Sequence, residues 1–277
     1  MPEWSVRGGE TIGPAPFLIA GIVNITPDSF YDGGLYQDSL VGAEHGCQLW
    51  EEGAHVLDLG GESTRPFSQP IDSETELGRV LPVQEKILET YPDARISIDT
   101  YKAEVADQCL QAGAVAINDI SACRFDPPLL DVLLQYQPGY VLMHTLDHPE
   151  NMQKNPRYRD VISELMSFFE ERLAYLVRAG LPEENIVLDP GIGFGKTLEH
   201  NLEILRNINQ FHRLGRPLFM GLSYKSLWGK LLDLELQDRG LPTQVATALM
   251  ASRNVGIHRV HDVRATRDTL RIVESLS

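Results

Sequence analysis

Eight short apolar runs, each followed by a longer amphipathic stretch, constrain this chain more than any other feature. The runs are FLIAGIVN (17–24), HVLDLGG (55–61), ARISIDT (94–100), VAINDI (115–120), GYVLMH (139–144), NIVLDPG (185–191), PLFMGLS (217–223) and GIHRVHDV (256–263). Nearly continuous apolar character over so few residues predicts strands buried on both faces, as in a parallel sheet. Helical spacing covers 39–52, 73–90, 102–112, 127–136, 158–179, 199–213, 243–254 and 265–276. Ser73 and Glu76 read as a capping box, and Gly53, Gly113 and Gly180 stand where C-cap glycines belong.

Strands and helices in strict alternation predict an α/β fold, a (β/α)8 TIM barrel. The chain has 277 residues, which suits a barrel of about 250 residues. An open doubly wound sheet is the alternative, but it seldom has so regular a set of eight. No linker, repeat or low-complexity tract interrupts the chain, so 1–277 reads as a single domain. Residues 3–13 precede the first strand and predict a short hairpin across the barrel bottom.

The net charge of −15 argues against nucleic-acid or anionic-membrane partners, which need clustered Lys and Arg. It leaves room for a small anion, because local fields can oppose the global charge. Cys47, Cys109 and Cys123 form no CxxC pair and no disulfide framework. With no signal-peptide core and no spanning apolar run, the expected location is the cytoplasm.

In such a barrel the ligand site lies at the C-terminal ends of the strands. In order, those ends present Asn24, Asp58, Asp99, Asn118, His144, Asp189, Ser223 with Lys225, and Arg259 with His261. Eight polar groups in register are hard to satisfy within a packed core, so they predict one shared site. Asp58, Asp99, Asn118 and Asp189 suit a flat heterocycle rich in N–H and C=O groups. Arg259 can stack on a ring or hold a phosphate. Asn24 can ligate Mg²⁺ if substrate oxygens complete the shell. Two loops on the same face, NITPDSFYDGG (24–34) and GGESTRP (60–66), are long enough to act as lids.

Other motifs mislead. DPGIGFGKT (189–197) has Pro190 and Lys196 where phosphate-loop or dinucleotide fingerprints need glycine, and GLSYKS has Tyr224 before its lysine. His144 and His148 are four apart, but Pro149 follows and no helix carries them, so zinc is not expected. His258 and His261 are three apart on a strand and should face opposite sides.

Together GIVNITPDSFYDGG, LDLGGESTRP, ISIDTYK, AINDIS, VLMH, LDPGIGFGKT, the serine and lysine of GLSYKS, and HRVHDV resemble the dihydropteroate synthase family of folate biosynthesis. They occur in the family's order and spacing over nearly the whole chain. The resemblance implies condensation of (7,8-dihydropterin-6-yl)methyl diphosphate with 4-aminobenzoate, by an SN1-like route, in a homodimeric enzyme that uses Mg²⁺. It implies that Asp58, Asp99, Asn118, Asp189 and Lys225 bind the pterin, with Met143, Phe194 and Gly221 as walls and Arg259 stacked on the ring. Asn24, Thr64, Arg259 and His261 would hold the diphosphate, Asn24 also touching the metal. Thr64, Arg65, Pro66, Phe194, Ser223 and Lys225 would border the aminobenzoate, and Asp99, Arg65, Lys225 and Arg259 would be catalytic. The chain departs from the family at Tyr224, where arginine is usual, and at Phe67-Ser68-Gln69, where Gly-Ala is common. Those departures leave open a catalytically silent pterin-binding paralogue. A pterin- or folate-binding methyltransferase-type barrel is a further alternative, but it has no use for GGESTRP or RVHDV.

Overall fold

β-branched and leucine-rich runs become strands here because helices cover their outer faces and the neighbouring strands pair their backbones. The structure, a computed structural model, describes residues 1–26 and 35–276. Residues 27–34 of the first expected loop therefore lie outside the described residues.

A two-stranded antiparallel hairpin comes first, β1 (Trp4–Ser5) and β2 (Thr11–Ile12). The barrel strands follow: β3 (Leu18–Asn24), β4 (Val56–Gly60), β5 (Ile96–Asp99), β6 (Ala116–Asp119), β7 (Gly139–Met143), β8 (Ile186–Asp189), β9 (Phe219–Gly221) and β10 (Ile257–Val260). All neighbours are parallel, in the order β8-β7-β6-β5-β4-β3-β10-β9, and a bridge from Leu188 to Leu218 closes the ring. The closed (β/α)8 barrel agrees with the expectation from alternation.

Nine α-helices lie outside the strands among the described residues: α1 (Leu35–Glu51), α2 (Ser73–Thr90), α3 (Ala103–Gln111), α4 (Leu129–Tyr136), α5 (Val161–Ala179), α6 (Leu198–Arg206), α7 (Ser226–Leu232), α8 (Gly240–Ala251) and α9 (Val263–Leu276). Gly53, Gly113 and Gly180 all take positive φ just past helix ends, as expected. Three local expectations change. The cap of α2 is Asp72, whose Oδ1 accepts from Thr75 N at 2.7 Å, so Ser73 is already helical and Glu76 is not its box partner. The stretch 199–213 breaks at Asn207 into α6 and a tighter 3-10 segment, Ile208–Leu214. The short α7, built from SLWGKLL, is an extra helix.

The hairpin seals the barrel bottom. Trp4, Val6 and Ile12 are buried against Leu18, Val56, Val141, Val187, Phe219 and Ile257, at the N-terminal ends of the strands. The Trp4 indole N–H donates to Asn185 O at 2.7 Å, so its one polar atom is satisfied. Truncation of such a buried tryptophan to alanine costs about 3–5 kcal/mol. With its bottom filled and its outer faces covered by helices, the barrel presents its polar groups at the opposite mouth. No described helix is long and apolar enough to cross a membrane.

Candidate active site

Strand periodicity decides which side chains enter the barrel. Asp58, in the middle of β4, points inward and deep, where Asn118 Nδ2 of β6 donates to its Oδ2 at 2.9 Å. Arg259 of β10 reaches across the mouth: its Nε donates to Asp58 Oδ2 and its Nη2 to Asp99 Oδ2 at 2.6 Å. Three strands are thereby joined through one guanidinium, and Asn118 adds a fourth through Asp58. Asp58 Oδ1 is buried and has no hydrogen-bond partner, which is unusual for a carboxylate oxygen at such depth. Gly221 of β9 lies beside Arg259 in register, and a Cβ there would come within 4.0 Å of the arginine stem.

A second group sits at the rim. His261 Nδ1 is 2.9 Å from Ser223 Oγ, and its Nε2 is 3.3 Å from Asn24 Nδ2. With the Asn24 amide as donor, Nε2 accepts and the ring proton sits on Nδ1. His258 faces the other way, buried, with Nε2 3.1 Å from Val255 O, as strand alternation requires.

The loop after β8 forms a third wall. Asp189 Oδ1 accepts from Gly191 N at 2.7 Å, which turns the chain sharply. Gly191 has φ +68°, and a Cβ on it would sit 2.0 Å from His144 O, so no other residue fits that approach. The turn brings Phe194 under the ammonium of Lys225, 4.4 Å from the ring centre. Phe194 also packs with Met143, Tyr101 and Ile120.

Thr64 is half-buried, while Arg65 and Pro66 are exposed in the loop after β4. Arg65 has an electrostatic influence on His261. His144 does not join the site as its strand-end position suggested. It turns toward α5, edge-on to Phe168, with Nδ1 3.0 Å from Lys196 Nζ. Residues alternate at the strand end, and Met143 takes the inward place.

Lys196 is the residue that motif reading missed. It is 2% exposed, and its ammonium is held by His144 Nδ1 and the carbonyls of His144, Gly191 and Phe194 at 3.0–3.3 Å. It ties the Phe194 loop to the end of β7. The failed phosphate-loop pattern GFGKT carried the signal, but its lysine turns into the protein instead of out toward an anion.

Burial governs the charges. Desolvation raises the Asp99 carboxyl to about 7, opposed by Arg259 and reinforced by Asp58 and Glu76. Burial disfavours the charge of Arg259, yet Asp58 and Asp99 more than offset it, so its pKa rises. Burial lowers Lys225 to about 8 against the pull of Asp189, and lowers Lys196 to about 7. Burial, then Arg259 and Lys225, pushes His261 down to about 4, so its ring is neutral near pH 7.

The pterin binding enzyme family model matches residues 20–261. Dihydropteroate synthase of Escherichia coli is 38% identical over 257 residues, covering 93% of this chain and 90% of that protein. The structure of Yersinia pestis dihydropteroate synthase with a sulfonamide drug superposes with TM-score 0.92 at 36% identity, over 99% of this chain and 98% of that one. Xanthomonas albilineans dihydropteroate synthase with 4-aminobenzoic acid gives TM-score 0.92 at 37% identity, over 99% and 98%. The chain belongs to the dihydropteroate synthase family of pterin-binding transferases.

Proposed function

We propose that this chain condenses (7,8-dihydropterin-6-yl)methyl diphosphate with 4-aminobenzoate, releasing pyrophosphate. The observation that carries this reading is the Asp58–Asn118–Arg259–Asp99 network with its orphaned Asp58 Oδ1. A buried acceptor without a donor is costly, and the N–H groups of a pterin edge would satisfy it. Asp189 and Lys225 complete an acceptor and donor set for the same flat ring, with Phe194 and Met143 as apolar walls.

The chemistry follows from charge. As the methylene C–O bond breaks, its electron pair leaves with the diphosphate and positive charge develops on the pterin methylene. Arg259 would lie beside both, while Asp99, which accepts from its Nη2 at 2.6 Å, would face the cation. The aniline nitrogen then forms the C–N bond and loses one proton. No covalent enzyme intermediate is needed, because the amine is already a nucleophile near neutral pH. This route is dissociative, and Thr64, Arg65, Pro66 and Ser223 border the incoming amine.

A diphosphate would draw His261 toward its charged form, turning Nε2 from acceptor to donor beside Asn24. The residues fit Mg²⁺ only as a companion of the diphosphate. Among the described residues no cluster of three or more His, Cys, Asp or Glu gathers to hold a metal, and Asn24 supplies one neutral oxygen. When bound, the ion supplies positive charge to the leaving group.

A homodimer is part of the proposal. Leu241, Val245 and Leu249 repeat every fourth residue along α8 and are 76%, 52% and 54% exposed, beside Ile272 of α9 at 61%. An apolar stripe of that kind marks an interaction surface. Val245→Lys should yield monomer by light scattering; an unchanged mass would remove α8 from the interface.

The direct test is pyrophosphate release by the purified protein with both substrates and Mg²⁺. Release that depends on 4-aminobenzoate supports the reading, and its absence would defeat it.

A further inference from the structure

Lys102 follows β5 and bonds two carboxylates at once: its Nζ is 2.6 Å from Glu62 Oε2 and also donates to Glu76 Oε2. Glu62 is 8% exposed and Glu76 1%. None of the three takes part in the reaction steps above. Two buried acids against one ammonium is an unfavourable balance, and burial raises the pKa of Glu76 accordingly. What the cluster secures is a loop. Glu62 stands at the exit of β4, and its Oε2 also accepts the N–H of Ile71 at 3.0 Å. Its Oε1 accepts the Tyr101 hydroxyl at 2.9 Å. One carboxylate therefore joins both ends of the segment 62–71, and Lys102 and Tyr101 fix that carboxylate to the end of β5. Thr64, Arg65 and Pro66 lie inside the closed segment. A second tie, Phe67 N to Pro149 O at 2.9 Å, holds its tip to the chain after β7.

We propose that Lys102 is a positioning residue for the amine substrate: through Glu62 it clasps the 62–71 loop, and the loop sets Thr64, Arg65 and Pro66 against an aromatic amine that carries a carboxylate. The inference rests on the synthase reading and deepens it. A loop pinned at its base needs less ordering when the second substrate arrives, so loosening the clasp acts on that substrate and spares the pterin contacts remote from it, Asn118 on β6 and Asp189 on β8.

Lys102→Met strands two buried acids and can fail to fold, so Glu62→Gln carries the test, with Lys102→Arg as the conservative partner. In Glu62→Gln, amide exchange over 63–71 should quicken about tenfold or more while β6 and β8 are unchanged. The KM for 4-aminobenzoate should rise about tenfold, and affinity for a pterin analogue should stay within about twofold. Lys102→Arg should remain within about threefold of wild type on both measures, since it keeps the charge. Unchanged exchange at 63–71, uniformly faster exchange across the barrel, or equal losses for both substrates would overturn the proposal. Exchange is measured without substrate, so a clasp that fails is distinguished from a wild-type protein that does not turn over.

Discussion

The Nη2 of Arg259 bonds Asp99 Oδ2 at 2.6 Å across 160 positions of sequence, while its Nε bonds Asp58 Oδ2. Two carboxylates hold one planar cation at the barrel mouth, so its orientation is set before any substrate arrives. Arg259→Lys keeps the charge but cannot span both acids. We expect kcat/KM to fall about 10- to 100-fold, the scale of a lost charged hydrogen bond, in steady-state assays. Activity within a factor of two would show that the bridge has no catalytic part.

His261 is held neutral, its pKa near 4, by burial and the surrounding cations. An anion bound beside it raises that value, so binding takes up a proton at pH 6–7. The sign follows: affinity for pyrophosphate should grow as pH falls, relative to His261→Gln. Calorimetry in two buffers of different ionisation enthalpy reads the uptake. Equal uptake by wild type and variant would assign the proton elsewhere.

Gly191→Ala places a methyl against the His144 carbonyl at a backbone angle that alanine avoids. The expected loss is more than about 3 kcal/mol by denaturant unfolding. Gly8 has a similar φ of +78° with open space around it, and Gly8→Ala should cost only about 1 kcal/mol. Similar values at the two sites would mean the loop after β8 relaxes freely.

Tyr224 has φ +54°, and its ring stands edge-on to His261 with centres 5.7 Å apart. The contact helps to hold the imidazole in place. Tyr224→Ala should raise the KM for the pterin diphosphate about three- to tenfold, the scale of one aromatic contact, without moving that for 4-aminobenzoate. An equal change in both would place the tyrosine nearer the amine.

The strand ends were legible because a buried strand has a short period and an apolar signature, and position along it fixes depth. Asp58, Asn118 and Arg259 could be grouped from that alone. Lys196 could not, because its partner His144 is 52 residues away and its motif resembles a phosphate loop. The Glu62–Lys102 pair was hidden for the same reason, across 40 residues. Asp72 in place of Ser73 as a cap is a one-residue ambiguity that only backbone geometry resolves. The short α7 escaped because seven residues hold too little periodicity to declare a helix.

The hydrogen bond from Trp4 to Asn185 joins residues 181 positions apart. On the ribosome Trp4 therefore emerges roughly 10–40 s before its acceptor exists, at ordinary elongation rates. Through that interval the apolar face of the hairpin has only the earlier part of its seat, Leu18, Val56 and Val141, while Val187, Phe219 and Ile257 are still to be made, and the uncovered remainder is a surface a chaperone can shield. The plug at the barrel bottom thus couples the first-made segment of the chain to strands made much later.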